Sequence, residues 1–246
     1  MQRITVESSQ FCDRTLTLNR QQLHYLMRVL RLQGGDRFVV MDGSGSCWET
    51  ELVEEQEGCY GRLLQALDFN RELPISLTLL AGLPKGQGFD EVVRQTTELG
   101  VIRVIPVLSD RTLLKPSPNK WQRWQRIATE AAEQSERQWV PRIERPMSLA
   151  EAMAAVHPAR RYFCVARGDR PHLLRQVRQD VVSLGPQMAE MAIAIGPEGG
   201  WTTAEVEVAI AAGWQEVSLG QRILRAVTAP TVALALVAAA LESGLD

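Results

Sequence analysis

From residue 74 onward, short apolar runs alternate with longer stretches of helical spacing. Residues 75–81 and 101–108 are mostly apolar runs of strand length. Between them, residues 89–99 carry a helical pattern that Gly100 ends. Strand, helix, strand at this spacing is a βαβ unit, which predicts a parallel sheet. Ser117-Pro118 opens a long helix running to about Gln138, with Trp121, Trp124, Ile127 and Ala131 as its apolar stripe. The two tryptophans read as core or interface rather than as base-stacking platforms. Ser148 and Glu151 have capping-box spacing, and residues 161–166 form the next strand. Residues 191–195 are uncharged and read as a strand buried on both faces. A helix over 206–212, a strand over 215–219 and an Ala/Leu helix over 228–243 complete the pattern. Alternating βα from residue 74 predicts a layered α/β domain.

Residues 1–70 follow a different period. Residues 2–7, 38–41, 48–53 and 59–67 read as short strands, with Asp42-Gly43-Ser44-Gly45 as a hairpin turn. Leu23, Met27 and Leu30 give residues 17–31 a helical face, and Gly34-Gly35 stops it. A small β-barrel is the expected form. The polar stretch from Asn70 to Pro74 reads as a linker, placing one domain over 1–72 and a second over 73–246.

Composition narrows the chemistry. The chain has 246 residues, 45% of them hydrophobic, and a net charge of −2. Residues 73–178 carry +7, from 17 basic against 10 acidic residues, while residues 179–246 carry −6, from 2 against 8. A basic middle fits a local polyanion-binding face and fits a solvated helix surface equally well. The four cysteines, Cys12, Cys47, Cys59 and Cys164, show no paired spacing. They read as free thiols, with no zinc site and no metal expected. Without a signal segment or a long apolar run, the expected location is the cytoplasm.

The stretch that could carry function is Ile195-Gly-Pro-Glu-Gly-Gly-Trp201, followed by the Thr202/Glu205 capping box. Strand, glycine turn and helix N-terminus is where open α/β sheets bind ligands. The dinucleotide fingerprint and the P-loop are both absent. Read locally, it is either a ligand turn or only a tight turn. Arg28 and Arg31 fall on one face of the predicted N-terminal helix and could touch phosphate or be solvated.

Several motifs in order carry a resemblance. Residues 195–201 are followed by Leu219-Gly-Gln-Arg-Ile-Leu-Arg225 with Thr228-Ala229. Upstream lie Lys85-Gly86 with Asp90, Thr97-Glu98-Leu99-Gly100-Val101, Ser109-Asp110-Arg111, Glu133-Gln134-Ser135 and the segment from His24 to Arg31. Together they resemble the RsmE family of ribosomal RNA methyltransferases, within the SPOUT class of knotted enzymes. The resemblance implies an N-terminal PUA-like barrel and a trefoil-knot α/β domain that acts as a homodimer. It implies S-adenosylmethionine bound by Ala166, Ile195, Gly196, Gly199, Gly200, Ser218, Leu219, Gly220, Ile223 and Leu224. The implied reaction is methylation of N3 of one uridine in 16S ribosomal RNA of the 30S subunit. Arg225 and Glu198 are the expected catalytic residues, and Arg28, Arg31, Lys85, Arg111 and Arg137 the expected RNA face. One departure stands out: Val227 occupies the place where the family usually has glutamate. The alternatives are a knotted methyltransferase acting on another RNA, such as transfer RNA, and a non-catalytic RNA-binding assembly factor.

Overall fold

The computed structural model describes residues 1–56, 58–112, 116–185 and 188–243. The chain divides into two compact units: residues 1–72 with 132–140, and residues 73–131 with 141–246.

The first unit is built on a six-stranded sheet. In chain order its elements are β1 (Arg3–Thr5), β2 (Phe11–Cys12), β3 (Thr15–Thr17), helix α1 (Arg20–His24), β4 (Arg37–Met41), β5 (Cys47–Glu55) and β6 (Gly58–Ala66). The strand order is β1-β4-β5-β6-β3-β2. Only the β1–β4 pair is parallel; β4, β5, β6, β3 and β2 pair antiparallel along the sheet. The hairpin turn at 42–45 joins β4 to β5 as predicted. Leu16, Leu26, Phe38, Val40 and Leu52 are fully buried and form its core. Asn19 caps α1 by accepting from the amides of Gln21 and Gln22. The predicted single helix through Arg31 does not form. After α1 the backbone widens into a π-helical turn over Tyr25–Val29, and Arg31 takes a left-handed φ of 61°. Arg28 and Arg31 are therefore exposed but do not share a regular helix face.

The second unit carries the parallel sheet. It comprises β7 (Ser76–Gly82), α2 (Gly88–Glu98), β8 (Arg103–Leu108), α3 (Pro118–Gln134, in this unit as far as Ala131), β9 (Arg142–Ile143), β10 (Met147–Ser148), α4 (Leu149–Ala154), β11 (Arg160–Cys164), α5 (Leu173–Leu184), β12 (Glu190–Ile195), α6 (Thr203–Ala211), β13 (Gln215–Val217) and α7 (Thr228–Glu242). Strand order is β10-β8-β7-β12-β11-β13, with β9 also on β8, and every pair is parallel. β7 and β12 are central, which explains their mostly apolar sequence. Leu80, Ile105, Phe163, Ala192, Ala194 and Trp214 build one core with α4 and α6. Trp124 is buried against Phe89 at 4.5 Å and donates from Nε1 to Asp90 at 3.0 Å, a core role as expected. α5 was not predicted from the sequence: its cap is His172, whose Nδ1 accepts from the Leu174 amide at 3.2 Å.

Candidate functional site

In a parallel sheet all the strand carboxyl ends lie on one edge, and the loops there converge. Three such loops, after β11, β12 and β13, enclose a cavity of about 420 Å³. That volume suits a small organic ligand. The first wall runs from Cys164 to Arg167, the second from Ile195 to Trp201, and the third from Leu219 to Ala226, with Arg111 and Ala229 completing the ring.

Close backbone packing shapes the second wall. A methyl group placed on Gly82, at the end of β7, would fall 2.5 Å from the Pro197 nitrogen, so only glycine lets the turn after β12 seat there. The Trp201 ring stacks on Phe163 with centroids 4.8 Å apart. It fills the space that a side chain at Gly196 would need, within 3.2 Å. Trp201 Nε1 is buried and has no hydrogen-bond partner among the described residues. The Gly196 and Gly199 gaps thus admit Trp201 and Arg111 of the protein itself.

Polar contacts lock this wall to neighbouring loops. Arg111 donates to the Gly199 carbonyl. The adjoining Asp110 amide donates to Glu205 Oε1 at 3.0 Å, and Thr202 Oγ1 donates to the Asp110 carboxylate at 3.1 Å. Glu205 also accepts from the Thr202 amide at 2.7 Å, and Thr202 Oγ1 accepts from the Glu205 amide at 3.2 Å. The capping box read from sequence therefore holds the 109–112 loop as well as α6. Glu198 is exposed, and its Oε1 accepts from the Lys85 amide at 2.9 Å. Its observed work is to brace the turn against the loop after β7. Burial pushes the Cys164 thiol, in the first wall, up to about 12.

Of the ten residues expected to hold a cofactor, nine line this one cavity; Ser218 does not. Its hydroxyl instead closes the third loop on itself, accepting from the Gly220 amide at 3.0 Å and donating to the Gly220 carbonyl at 3.1 Å. Glu198 lines the cavity and Arg225 does not. Arg225 is exposed, its side chain has no hydrogen bond or ion pair among the described residues, and its carbonyl accepts the amides of Thr228 and Ala229. Of the expected RNA contacts, Arg111 lies in the cavity wall and Lys85 is exposed outside it. Arg137 is 2% exposed and pairs with Glu72, its Nε donating at 3.0 Å, so its charge is turned into the first unit and not toward an exposed face. Arg167 and Arg222, which fall in the loops expected to line the cofactor site but were given no role of their own, both line the cavity. Val227 presents hydrocarbon to the start of α2: a methyl on Gly88 would lie 2.6 Å from its Cγ1.

A parallel sheet with a ligand cavity at its carboxyl edge, lined by two glycine-bearing loops, makes the second unit an α/β domain built to hold a small-molecule ligand. Comparison with known proteins gives the family. The RNA methyltransferase domain model matches residues 71–238, and the RNA methyltransferase PUA domain model matches residues 18–58. The chain is 49% identical to ribosomal RNA small subunit methyltransferase E of Synechocystis, over 98% of this chain and 78% of that protein. It is 31% identical to the Bacillus subtilis protein of the same name, over 91% and 89% of the two chains. Among solved structures, ribosomal RNA small subunit methyltransferase E from Neisseria gonorrhoeae, bound to S-adenosyl methionine, superposes with a TM-score of 0.82 at 27% identity, covering 96% of this chain and 95% of that one. The chain belongs to the ribosomal RNA small subunit methyltransferase E family.

Proposed function

We propose that this protein transfers a methyl group from S-adenosylmethionine to N3 of a specific uridine in 16S ribosomal RNA of the 30S subunit. The observation that carries the reading is the convergence of the loops after β11, β12 and β13 on one cavity, in a chain of this family. Ile195, Leu219 and Leu224 offer apolar walls for an adenine, and the turns at 196–200 and 219–220 bring main-chain N–H and C=O groups to the lining. Bound there, the cofactor would supply a methyl group on a sulfonium, which needs no activation by metal. The protein's part is then to hold the acceptor in line and stabilise the charge that develops on it. N3 of uracil carries a proton at neutral pH; that proton must leave before the N3 lone pair can attack, and its loss puts negative charge on the ring, which methyl transfer then neutralises. Arg225, exposed and with no side-chain partner among the described residues, is suited to stabilise that anion. Glu198 serves as the brace that fixes the loop, with its second oxygen open to a proton. Arg28, Arg31 and Lys85, all exposed, contribute to the RNA face, with residues 1–72 acting as the RNA-binding domain.

The chain acts as a homodimer in the cytoplasm, where its substrate is assembled. Support for the dimer comes from α7, which carries no charge before Glu242 and leaves Ala235 and Ala239 exposed. No helix among the described residues is long and apolar enough to cross a membrane.

The test is mass analysis of small-subunit RNA from a strain lacking the gene. Loss of one N3-methyluridine, restored by the wild-type gene, supports the reading, and an unchanged methylation pattern refutes it. Val227 supports one second reading, an assembly factor that binds cofactor without turnover. S-adenosylmethionine binding with no methyl transfer to 30S subunits would favour it.

A further inference from the structure

The cavity mouth carries more positive charge than its cofactor can use. Arg111, Arg167 and Arg222 line it against a single carboxylate, Glu198. S-adenosylmethionine is itself a net cation at neutral pH, with a sulfonium and an ammonium against one carboxylate. Three guanidiniums around a cation are mutually unfavourable unless an anion joins them. Arg111 is tethered to the Gly199 carbonyl. Arg167 and Arg222 are exposed, and neither side chain has a hydrogen bond or ion pair among the described residues.

Neighbouring arginines differ. Arg160 pairs with Asp180 at 2.9 Å, and Arg170, three positions after Arg167, lies 2.9 Å from Glu216. The placement of Arg222 is also selective. Residues 179–246 hold 8 acidic residues and only 2 basic ones, Arg222 and Arg225, and both sit in the loop between β13 and α7. An acidic segment thus keeps its positive charge for one of its two loops that form cavity walls.

We propose that Arg167 and Arg222 form a phosphate grip at the cavity mouth, binding the RNA backbone beside the reacting nucleotide and taking no part in holding the cofactor. This rests on the RNA methyltransferase reading above. Arginine suits the role because its planar fork binds phosphate oxygens in pairs. A grip next to the cavity would also hold the uridine in place, a task that contacts elsewhere on the protein perform less tightly.

The experiment uses the full-length protein, S-adenosylmethionine, and unmodified 30S subunits from a strain lacking the gene. Arg167→Ala, Arg222→Ala and the double variant are compared with Arg167→Lys and Arg222→Lys. Calorimetry measures cofactor affinity, and direct binding to 30S subunits is followed as salt rises. Cofactor Kd should stay within about twofold of wild type, which also shows that the fold is intact. Affinity for 30S subunits should fall about five- to tenfold for each alanine. The slope of log affinity against log salt should become shallower by about 0.7 per arginine removed. The lysine variants should keep the slope. Weakened cofactor binding with unchanged RNA binding would assign both arginines to the cofactor and overturn the proposal. So would unchanged affinity and slope for both ligands. RNA binding is measured without turnover, so a wild-type protein that binds 30S subunits through these arginines but transfers no methyl group would overturn the proposed function and leave the grip standing.

Discussion

Glu198 and Val227 show how little a residue type says about its work. Glu198 is the one carboxylate in the cavity wall, yet its visible bond is to a backbone amide. Glutamine keeps that acceptor and alanine does not. Glu198→Gln should therefore retain cofactor affinity, while Glu198→Ala should lose about 1 kcal/mol, near fivefold, by calorimetry. If Glu198→Gln instead abolishes methyl transfer with binding intact, the carboxylate acts on the proton. Val227 sits against Gly88, where α2 begins with no side-chain cap on its free amides among the described residues. A glutamate there would reach those amides and the positive end of the helix. Val227→Glu should raise stability by about 1 kcal/mol in denaturant titration and leave kcat nearly unchanged. Cys164 offers a pH test. Its thiol ionises at about 12 in the folded chain against an ordinary 9.0, because burial disfavours the thiolate. A raised folded value favours the folded state below pH 9, and that contribution fades as pH climbs toward 12. Alkylation at pH 8 should mark exposed Cys12 and spare Cys164, read by peptide mass. Arg137 was misjudged from sequence because its partner Glu72 is 65 positions away, and nothing local announces a buried ion pair. Arg137→Ala would leave the Glu72 carboxylate without its ion-pair partner and should lower stability by about 3 kcal/mol or more.

At the level of elements, sequence and structure agree best where periodicity and caps coincide. β7, β12 and α6 were legible because predominantly apolar runs of strand length and a capping box each have one physical reading. α5 escaped because a histidine caps it and its apolar positions are interspersed with Arg175, Arg178 and Asp180. The π-helical turn over Tyr25–Val29 escaped because an extra residue in a turn leaves the hydrophobic spacing nearly unchanged. The cavity itself was legible only in part. Glycine turns mark where a backbone can be approached, but not by what. At Gly82 the visitor is Pro197, from a loop over a hundred positions later. Gly82→Ala should displace the 195–201 turn. S-adenosylmethionine binding should then fall by an order of magnitude or more, with circular dichroism showing the sheet retained.

On the scale of the whole chain, each compact unit has its own core, and the cavity belongs to the second alone. Cofactor should therefore protect one part of the molecule. At a hundred times its Kd, S-adenosylmethionine should add about 2.7 kcal/mol to the stability of that unit. For a domain of this size the shift in Tm is then about 5–10 °C. Hydrogen exchange should slow in β7, β11 and β12 more than in β4 to β6, and equal protection of both units would place the cofactor elsewhere. The cavity's walls come from residues 111, 164–167, 195–201 and 219–229, spread over nearly half the sequence. During synthesis the amino-terminal unit, the parallel strands and the first two walls are all made before the third wall exists. A nascent chain stalled before residue 219 should carry much of its secondary structure and still retain no cofactor. The cavity that makes a methyltransferase of the fold is complete only once the last of its three walls has been made.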